Sequence, residues 1–194
     1  KVYDVLTGFK FIGEKIKEWE GNGHRTFMFG FEESYGYLRG THSRDKDAVV
    51  AAMLAAELAC YQKAHGKTVY DRLKELWDKY GYFTETSKSL TFKGLDGMEK
   101  MASIMEKLRK NAPVSLGGMD VKSVSDYSSS VKLYKDGKKE LMNQPKDKGL
   151  KYDLGGDMWA CVRPSGTEPK LKIYVSTVAD NGEESRALNK KVQE

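Results

Sequence analysis

The segment RPSGTEPK at residues 163–170 carries more hydrogen-bonding groups than a simple chain reversal needs. Arg163 offers a planar guanidinium suited to a phosphate, and Ser165 and Thr167 offer hydroxyl groups. Gly166 lets backbone N–H groups approach an anion closely, and a proline stiffens each shoulder. We therefore predict an anion-binding loop. The alternative is a turn whose polar side chains, including the arginine, are solvated and bind no ligand.

A second polar segment, FEESYGY at residues 31–37, follows a strand-like run at residues 26–29. Glu32, Glu33 and Ser34 thus stand at the end of a strand, where α/β proteins commonly bind ligands. Carboxylates there could accept hydrogen bonds from sugar hydroxyl groups. Adjacent residues of an extended segment point to opposite sides, so at most one glutamate faces a given ligand. Acid–base chemistry, a metal ligand and a solvated acidic loop are the alternatives.

The composition is that of a globular protein with a core, since 39% of the 194 residues are hydrophobic and 11% aromatic. The sequence has no apolar run of about 18 residues and no secretion signal, so we expect a cytoplasmic protein that does not bind a membrane. The net charge of +5 is spread without clusters, which disfavours nucleic acid as a partner. Cys60 and Cys161 lie far apart and outside any zinc-binding motif.

Hydrophobic periodicity predicts the elements that hold the carboxylate segment. Residues 2–6 and 26–29 are strand-like, and residues 9–21 have helical spacing. A helix with Asp45 or Asp47 as its N-cap should run to Gly66, and its many alanines favour burial on several faces. A surface helix should follow at residues 68–81, giving this part of the chain an α/β character.

The remainder predicts an α+β domain, an antiparallel sheet backed by helices. The run at residues 82–92 alternates like a strand, and a helix before Pro113 carries a stripe of methionines that we expect in the core. Further strands are predicted in VKSVSDYSS, SVKLYKDG, MWACV and LKIYVSTV, with a last helix from about Glu183. We place the domain boundary at residues 92/93.

In this order and spacing, TGFKFIG, GFEESYGY, RDKDAVVAA and RPSGTEPKLKIY resemble the C-terminal half of the α-D-phosphohexomutase superfamily of phosphoglucomutases and phosphomannomutases. The resemblance implies a partial α/β third domain at 1–92 and an α+β fourth domain at 93–194. Members also have a phosphorylated serine and a Mg²⁺-binding DGDxDR-like loop, and neither an SHNP-type serine loop nor that motif occurs here. We therefore expect part of a longer enzyme, inactive alone, whose parent uses Mg²⁺ and a sugar bisphosphate activator.

The resemblance also implies roles for single residues. The ligands of sugar hydroxyl groups would be Glu32 and Ser34, with Thr7 and Gly8 nearby. The clamp on the phosphate that is not being transferred would be Arg163, Ser165, Gly166 and Thr167. Arg44 and Lys46 match a basic pair near the family's active site, a less specific correspondence. No catalytic residue and no metal ligand is expected within this chain.

The activity that the resemblance implies is phosphoryl transfer between the 1- and 6-positions of a sugar through a bisphosphate. Phe31 stands where many hexose-specific members have glycine, a feature similar to a subgroup that includes phosphopentose-active enzymes. Glucose, mannose and pentose phosphates therefore stay open as substrates. A non-catalytic phosphosugar-binding module and a basic interaction domain also stay open as functions. If the third-domain sheet is incomplete, a strand edge at 2–6 or 26–29 should favour a dimer.

Overall fold

The chain forms two compact units, Lys1–Glu75 and Leu76–Glu194. This computed structural model describes residues 1–32, 35–94, 96–166 and 168–194. The first unit is α/β and the second is α+β, as predicted, with an antiparallel sheet backed by helices. The predicted boundary at 92/93 refers to family domains and stays a prediction, since the compact units divide earlier in the chain.

The first unit is built from helices and one short hairpin. Its elements are α1 (Phe9–Asn22), β1 (Phe29–Glu32), β2 (Gly36–Arg39), α2 (Ala48–Ala64) and the beginning of α3 (Val69–Tyr80). β1 and β2 are antiparallel, and Leu38 is fully buried opposite Gly30. A Cβ at Gly30 would lie 2.8 Å from Ile12 Cγ2, so the hairpin needs glycine there to pack against α1.

The helices of the first unit end and begin as their sequences indicate. α1 ends at Gly23, which has a left-handed φ of 66° and donates its N–H to Trp19 O. Asp47 is the N-cap of α2, because its carboxylate accepts hydrogen bonds from Val49 N and Val50 N. Of the two candidate caps, the structure therefore selects Asp47.

The predictions for two strands of the first unit are wrong: one strand is not formed, and the other lies further along the chain. Residues 1–6 form neither helix nor strand, and Val2 is 87% exposed. The strand expected at residues 26–29 begins only at Phe29, because its ladder is set by pairing with β2. Phe27 instead packs in the core with α1. An apolar run becomes a strand only when another strand pairs with it.

The burial predicted for α2 is also wrong. Gln62 is its one buried residue among those described, whereas Val49, Met53 and Tyr61 are 70%, 66% and 59% exposed. An apolar composition does not by itself bury a helix, because burial depends on which other elements pack against it. In the described part of this unit the only sheet is the two-stranded hairpin, which covers little of α2.

The second unit is dominated by one antiparallel sheet with strand order β3-β11-β10-β9-β6-β7-β8. Its strands are β3 (Tyr82–Thr91), β6 (Ser123–Asp126), β7 (Val131–Tyr134), β8 (Lys139–Leu141), β9 (Leu150–Gly155), β10 (Met158–Pro164) and β11 (Lys170–Ala179). A separate small hairpin joins β4 (Ser115–Leu116) to β5 (Met119–Asp120), and the helices are α4 (Gly97–Lys110) and α5 (Gly182–Gln193).

One face of this sheet forms the main core. β9 alternates Leu150, Tyr152 and Leu154 into it. α4 adds Met101 and Met105 from the predicted methionine stripe, whereas Met98, at the start of that stripe, is 45% exposed. β9 was not among the predicted strands, although its leucine–tyrosine–leucine alternation is a strand signal.

α5 covers the sheet partly through polar contacts. Asn189, 1% exposed, donates from Nδ2 to Thr84 O at 2.8 Å and to Val175 O at 3.2 Å. Ser185 is also buried and exchanges hydrogen bonds with Thr177. Buried polar groups with partners of this kind fix the position of the helix rather than weaken the core.

Within the described residues, no helix combines the length and apolar character needed to cross a membrane.

Tyr152 provides a test of this core. Its hydroxyl is buried and, among the described residues, has no hydrogen-bond partner. Burial raises the pKa of Tyr152 from 10.0 to about 12. Tyr152→Phe should therefore raise the free energy of unfolding at neutral pH by about 1 kcal/mol, measured by urea denaturation.

The gain should grow as pH rises from 10 to 12, because the unfolded tyrosine ionises near its ordinary pKa of 10.0 and the folded one near 12. Tyr134→Phe is the control, since Tyr134 Oη already donates to Glu140 Oε2 at 2.6 Å. At neutral pH its removal should not raise stability. A loss of stability in Tyr152→Phe would mean that the hydroxyl has a partner.

Candidate functional site

The segment RPSGTEPK forms the connection between β10 and β11. Arg163 lies opposite Lys172 in the ladder, and Ser165 N donates to Lys170 O at 2.8 Å to close the loop. Ser165 Oγ accepts from Glu168 N at 3.2 Å. Thr167, one of the predicted phosphate ligands, lies outside the described residues. The described part of the loop is thus ordered by its own backbone and hydroxyl bonds.

The base of the loop is attached to the start of α4. Phe92 N donates to Pro169 O at 2.8 Å, and a Cβ at Gly97 would lie 2.4 Å from Phe92 O. Gly97 therefore allows a close approach that any side chain would prevent. At Gly166, by contrast, a Cβ would meet no described atom within 4 Å. The tip of the loop at Gly166 is open, while its end at Pro169 is tightly packed against the start of α4.

Arg163 lies on the sheet face opposite the helices. Ala160 of β10 is in the core, so alternation places Trp159, Cys161 and Arg163 on the other face. The Arg163 side chain is 34% exposed, and its Nη2 lies 3.4 Å from Asp147 Oδ2. The guanidinium is accessible and has one acidic neighbour among the described residues.

Lys172 places a second positive charge beside Arg163. Leu171 is buried in the core, so the exposed Lys172 lies on the Arg163 face. Like charges directly opposite each other in a sheet are destabilising unless an anion compensates them. The pair therefore favours binding of an anion at this end of the hairpin.

A second group of predicted residues comes together in the first unit. Glu32 Oε1 lies 3.8 Å from Lys46 Nζ, and that ammonium also lies 5.7 Å from the ring centroid of Phe9. Phe9 begins α1 directly after Thr7 and Gly8. Glu32, Lys46 and Phe9 at the start of α1 are thus neighbours, and their role in binding a ligand stays a prediction.

Gly36 allows this approach. A Cβ at Gly36 would lie 2.8 Å from both Glu32 Oε1 and Lys46 Cδ. Lys46 Nζ donates a hydrogen bond of 3.0 Å to Asp45 Oδ1, which is the main cause that raises the pKa of Lys46, with Glu32 contributing less. Lys46 thus remains a cation next to two carboxylates.

Arg44 does not join Lys46. Its guanidinium pairs with Glu20 near the other end of α1 and donates to Thr41 O at 2.8 Å. Of these two residues, Lys46 is the one that pairs with Glu32 among the described contacts, and the role of both near an active site stays a prediction. Ser34, like Glu33, lies outside the described residues, and its role stays a prediction.

Histidine, cysteine and carboxylate side chains do not gather in threes as possible metal ligands anywhere in the described part of the chain.

Comparison with known proteins assigns both units to one family. Residues 1–80 match the family Phosphoglucomutase/phosphomannomutase, alpha/beta/alpha domain III, and residues 104–191 match Phosphoglucomutase/phosphomannomutase, C-terminal domain. The chain belongs to the α-D-phosphohexomutase superfamily. The phosphohexomutase domains are matched in the order that the sequence motifs predicted.

Individual phosphohexomutases agree with this assignment. A phosphoglucomutase of Staphylococcus aureus (strain bovine RF122 / ET3-1) is 40% identical over 180 residues, covering 92% of this chain and 32% of the relative. A phosphoglucomutase of Staphylococcus haemolyticus (strain JCSC1435) is 38% identical over 184 residues, covering 94% and 33%. The chain thus spans about a third of the length of these curated relatives.

Two residues near the loop of this phosphohexomutase domain were not predicted as neighbours of Arg163. Lys172 lies nine positions after Arg163 and Asp147 lies sixteen before it, so neither belongs to the RPSGTEPK segment. Strand register brings Lys172 to Arg163, and the turn before β9 brings Asp147. The alternation of LKIYVSTV could have placed Lys172 on the polar face, but no local signal identified Asp147.

The cross-strand pair of cations predicts a stability gain on charge reversal. Lys172→Glu should raise the free energy of unfolding at low salt by about 0.5 kcal/mol, because an attractive pair with Arg163 replaces a repulsive one. The gain should shrink toward zero at high salt. Urea denaturation at two salt concentrations measures it.

Lys139→Glu is a matched control, since Lys139 also lies in a strand but faces Leu133 rather than a charge. It changes the net charge equally and should give no such gain. Equal gains in both variants would show that net charge, and not the Arg163 pair, is responsible.

Proposed function

We propose that this chain is the substrate-recognition part of a phosphosugar mutase, an intramolecular phosphotransferase that interconverts sugar 1-phosphate and 6-phosphate through a bisphosphate. The observation that carries the proposal is the β10–β11 loop. Gly166 lies at the open tip of this loop, and Arg163 and Lys172 lie opposite each other in the strands at its base, within a phosphohexomutase C-terminal domain. A fork of donors and two positive charges suit a phosphate dianion.

The reaction class explains why the loop has so many donors. The sugar bisphosphate must turn end for end, so that either phosphate position can face the phosphorylated serine. While one phosphate reacts, Arg163 and its neighbours would hold the other by charge and geometry. The loop would bind either phosphate, since its donors recognise the phosphate rather than the carbon that bears it.

The Glu32 group would bind the sugar in this proposal. Its carboxylate would accept hydrogen bonds from sugar hydroxyl groups, with Lys46 nearby at 3.8 Å and the Thr7–Gly8 segment preceding α1. Ser34 would be a further ligand. Glucose, mannose and pentose phosphates are all consistent with the residues named, so the class of substrate is proposed rather than one sugar.

The phosphorylated serine, the Mg²⁺ site and the response to a sugar bisphosphate activator would belong to the longer parent protein. The staphylococcal relatives are about three times the length of the matched region. We propose that the 194 residues alone do not convert glucose 1-phosphate to glucose 6-phosphate.

Arg163 gives the direct test. Arg163→Lys keeps the charge but loses the fork, and should weaken phosphosugar binding by roughly tenfold. Arg163→Ala should weaken it by about a hundredfold, since hydrogen bonds to charged groups contribute about 1.5 to 3 kcal/mol each and 1.4 kcal/mol is one decade. Calorimetric titration of the full-length parent with glucose 1-phosphate measures both.

Glu32→Gln is the matched control. In this proposal Glu32 contacts only sugar hydroxyl groups, so the variant should lose affinity for glucose 1-phosphate and keep its affinity for inorganic phosphate. Unchanged phosphosugar binding in Arg163→Ala would refute the phosphate clamp. The loop would then be a turn whose polar side chains bind no phosphate.

We further propose that two copies of the chain pair through the β1–β2 hairpin. Phe29, Phe31 and Tyr37 form an aromatic cluster with ring centroids 5.9 to 6.5 Å apart, and they are 46%, 66% and 37% exposed. Antiparallel pairing about Gly30 of the β1 edges that no described strand covers would set Phe29 of each copy opposite Phe31 of the other. A short apolar strand with an open edge favours such pairing.

Sedimentation of Phe31→Ser tests the dimer. The dissociation constant should rise by about a hundredfold, because each dimer loses two buried phenylalanines. Leu141→Ser is the control, since Leu141 is 80% exposed in the second unit. An unmodified chain that stays monomeric at high concentration would contradict the proposal.

A further inference from the structure

Asp147 is the acidic neighbour of Arg163. Its Oδ2 lies 3.4 Å from Arg163 Nη2, and within the described parts of the chain no other carboxylate pairs with that guanidinium. Both side chains are partly buried, with 23% of Asp147 and 34% of Arg163 exposed. The contact therefore occurs at the base of the loop rather than in open solvent.

The turn that carries Asp147 is held at four points. Asp147 Oδ1 accepts from Gly149 N at 2.8 Å, and Asp147 N donates to Tyr127 O at 3.2 Å. Tyr127 N donates in return to Gly149 O at 3.2 Å, and Arg109 Nη2 donates to Lys148 O at 2.6 Å. One carboxylate oxygen is thus used by the turn, and the backbone aims the other at Arg163.

The contact is long for a charge-assisted hydrogen bond, which is typically about 2.7 to 2.9 Å. A partly exposed ion pair of this length stabilises a protein little. It can nevertheless hold a flexible guanidinium in one place. A phosphate dianion, which offers more charge and two oxygens to the fork, would displace it.

We propose that Asp147 is a positioning residue that acts through Arg163 as its resting counter-ion. It holds the guanidinium when no phosphate is bound and competes with phosphate when one arrives, so it weakens the clamp and promotes release. This inference rests on the proposed phosphate-binding function of the loop. A mutase whose bisphosphate must leave the loop and turn around requires a clamp that is not too tight.

Asp147→Asn tests the competition. The amide oxygen can still accept from Gly149 N, so the turn is retained while the charge is removed. Inorganic phosphate is titrated into the ¹⁵N-labelled 194-residue chain, and the amide signals of Ser165 and Gly166 are followed. The dissociation constant for phosphate should fall by about threefold to tenfold, because a nearby negative charge is lost. A merely structural residue would not give tighter binding.

Asp153→Asn is the matched control. Asp153 Oδ1 accepts from Gly155 N at 2.9 Å, just as Asp147 Oδ1 accepts from the backbone N–H two residues later. Asp153, however, lies at the other end of β9. The variant changes the net charge equally and should leave phosphate affinity unchanged. Equal tightening in both variants would attribute the effect to net charge and overturn the inference.

The remaining outcomes separate the inference from the proposed function. If phosphate shifts the signals of Ser165 and Gly166 in the unmodified chain, but Asp147→Asn binds it equally or more weakly, the competing role of Asp147 is refuted and the clamp stands. If phosphate shifts neither signal in the unmodified chain, the phosphate-binding function fails and the inference fails with it.

Discussion

Antiparallel pairing of β10 with β11 is the constraint on which the second unit depends. Its register directs Leu171 and Val175 into the core and, by the same alternation, places Arg163 opposite Lys172 on the other face. β3 extends this ladder along the whole of β11. A slip of one residue would turn each side chain to the opposite face, so the core and the charged end of the hairpin are specified together.

The charged end of the hairpin is locally unfavourable, and the core tolerates it. Arg163 and Lys172 are like charges directly opposite each other in the ladder, and Asp147 offsets them only through a contact of 3.4 Å. Such repulsion requires stability elsewhere, which the buried face of β9 and the polar contacts of α5 provide. A tighter Asp147–Arg163 pair would stabilise the unit and obstruct an incoming anion.

The first unit follows a different balance. Four buried apolar residues, Phe9, Ile16, Phe27 and Leu38, form the centre of its core. Large apolar side chains of α2 and of the β1–β2 hairpin remain exposed in the described structure. Their composition is that of buried elements, so the first unit presents apolar surface that suits further packing, whereas the second unit covers its sheet with its own helices.

The sequence by itself determined the elements with strong periodicity, including α1, α3, α4 and β11, together with the family. These depend on neighbouring residues, which periodicity and motifs report directly. Only the tertiary structure decided that residues 1–6 are not a strand, that α2 is exposed, and that Lys46 but not Arg44 contacts Glu32. It also decided that Lys172 and Asp147 flank Arg163. Burial, register and ion pairing depend on partners distant along the chain, and local sequence patterns do not specify which partners meet.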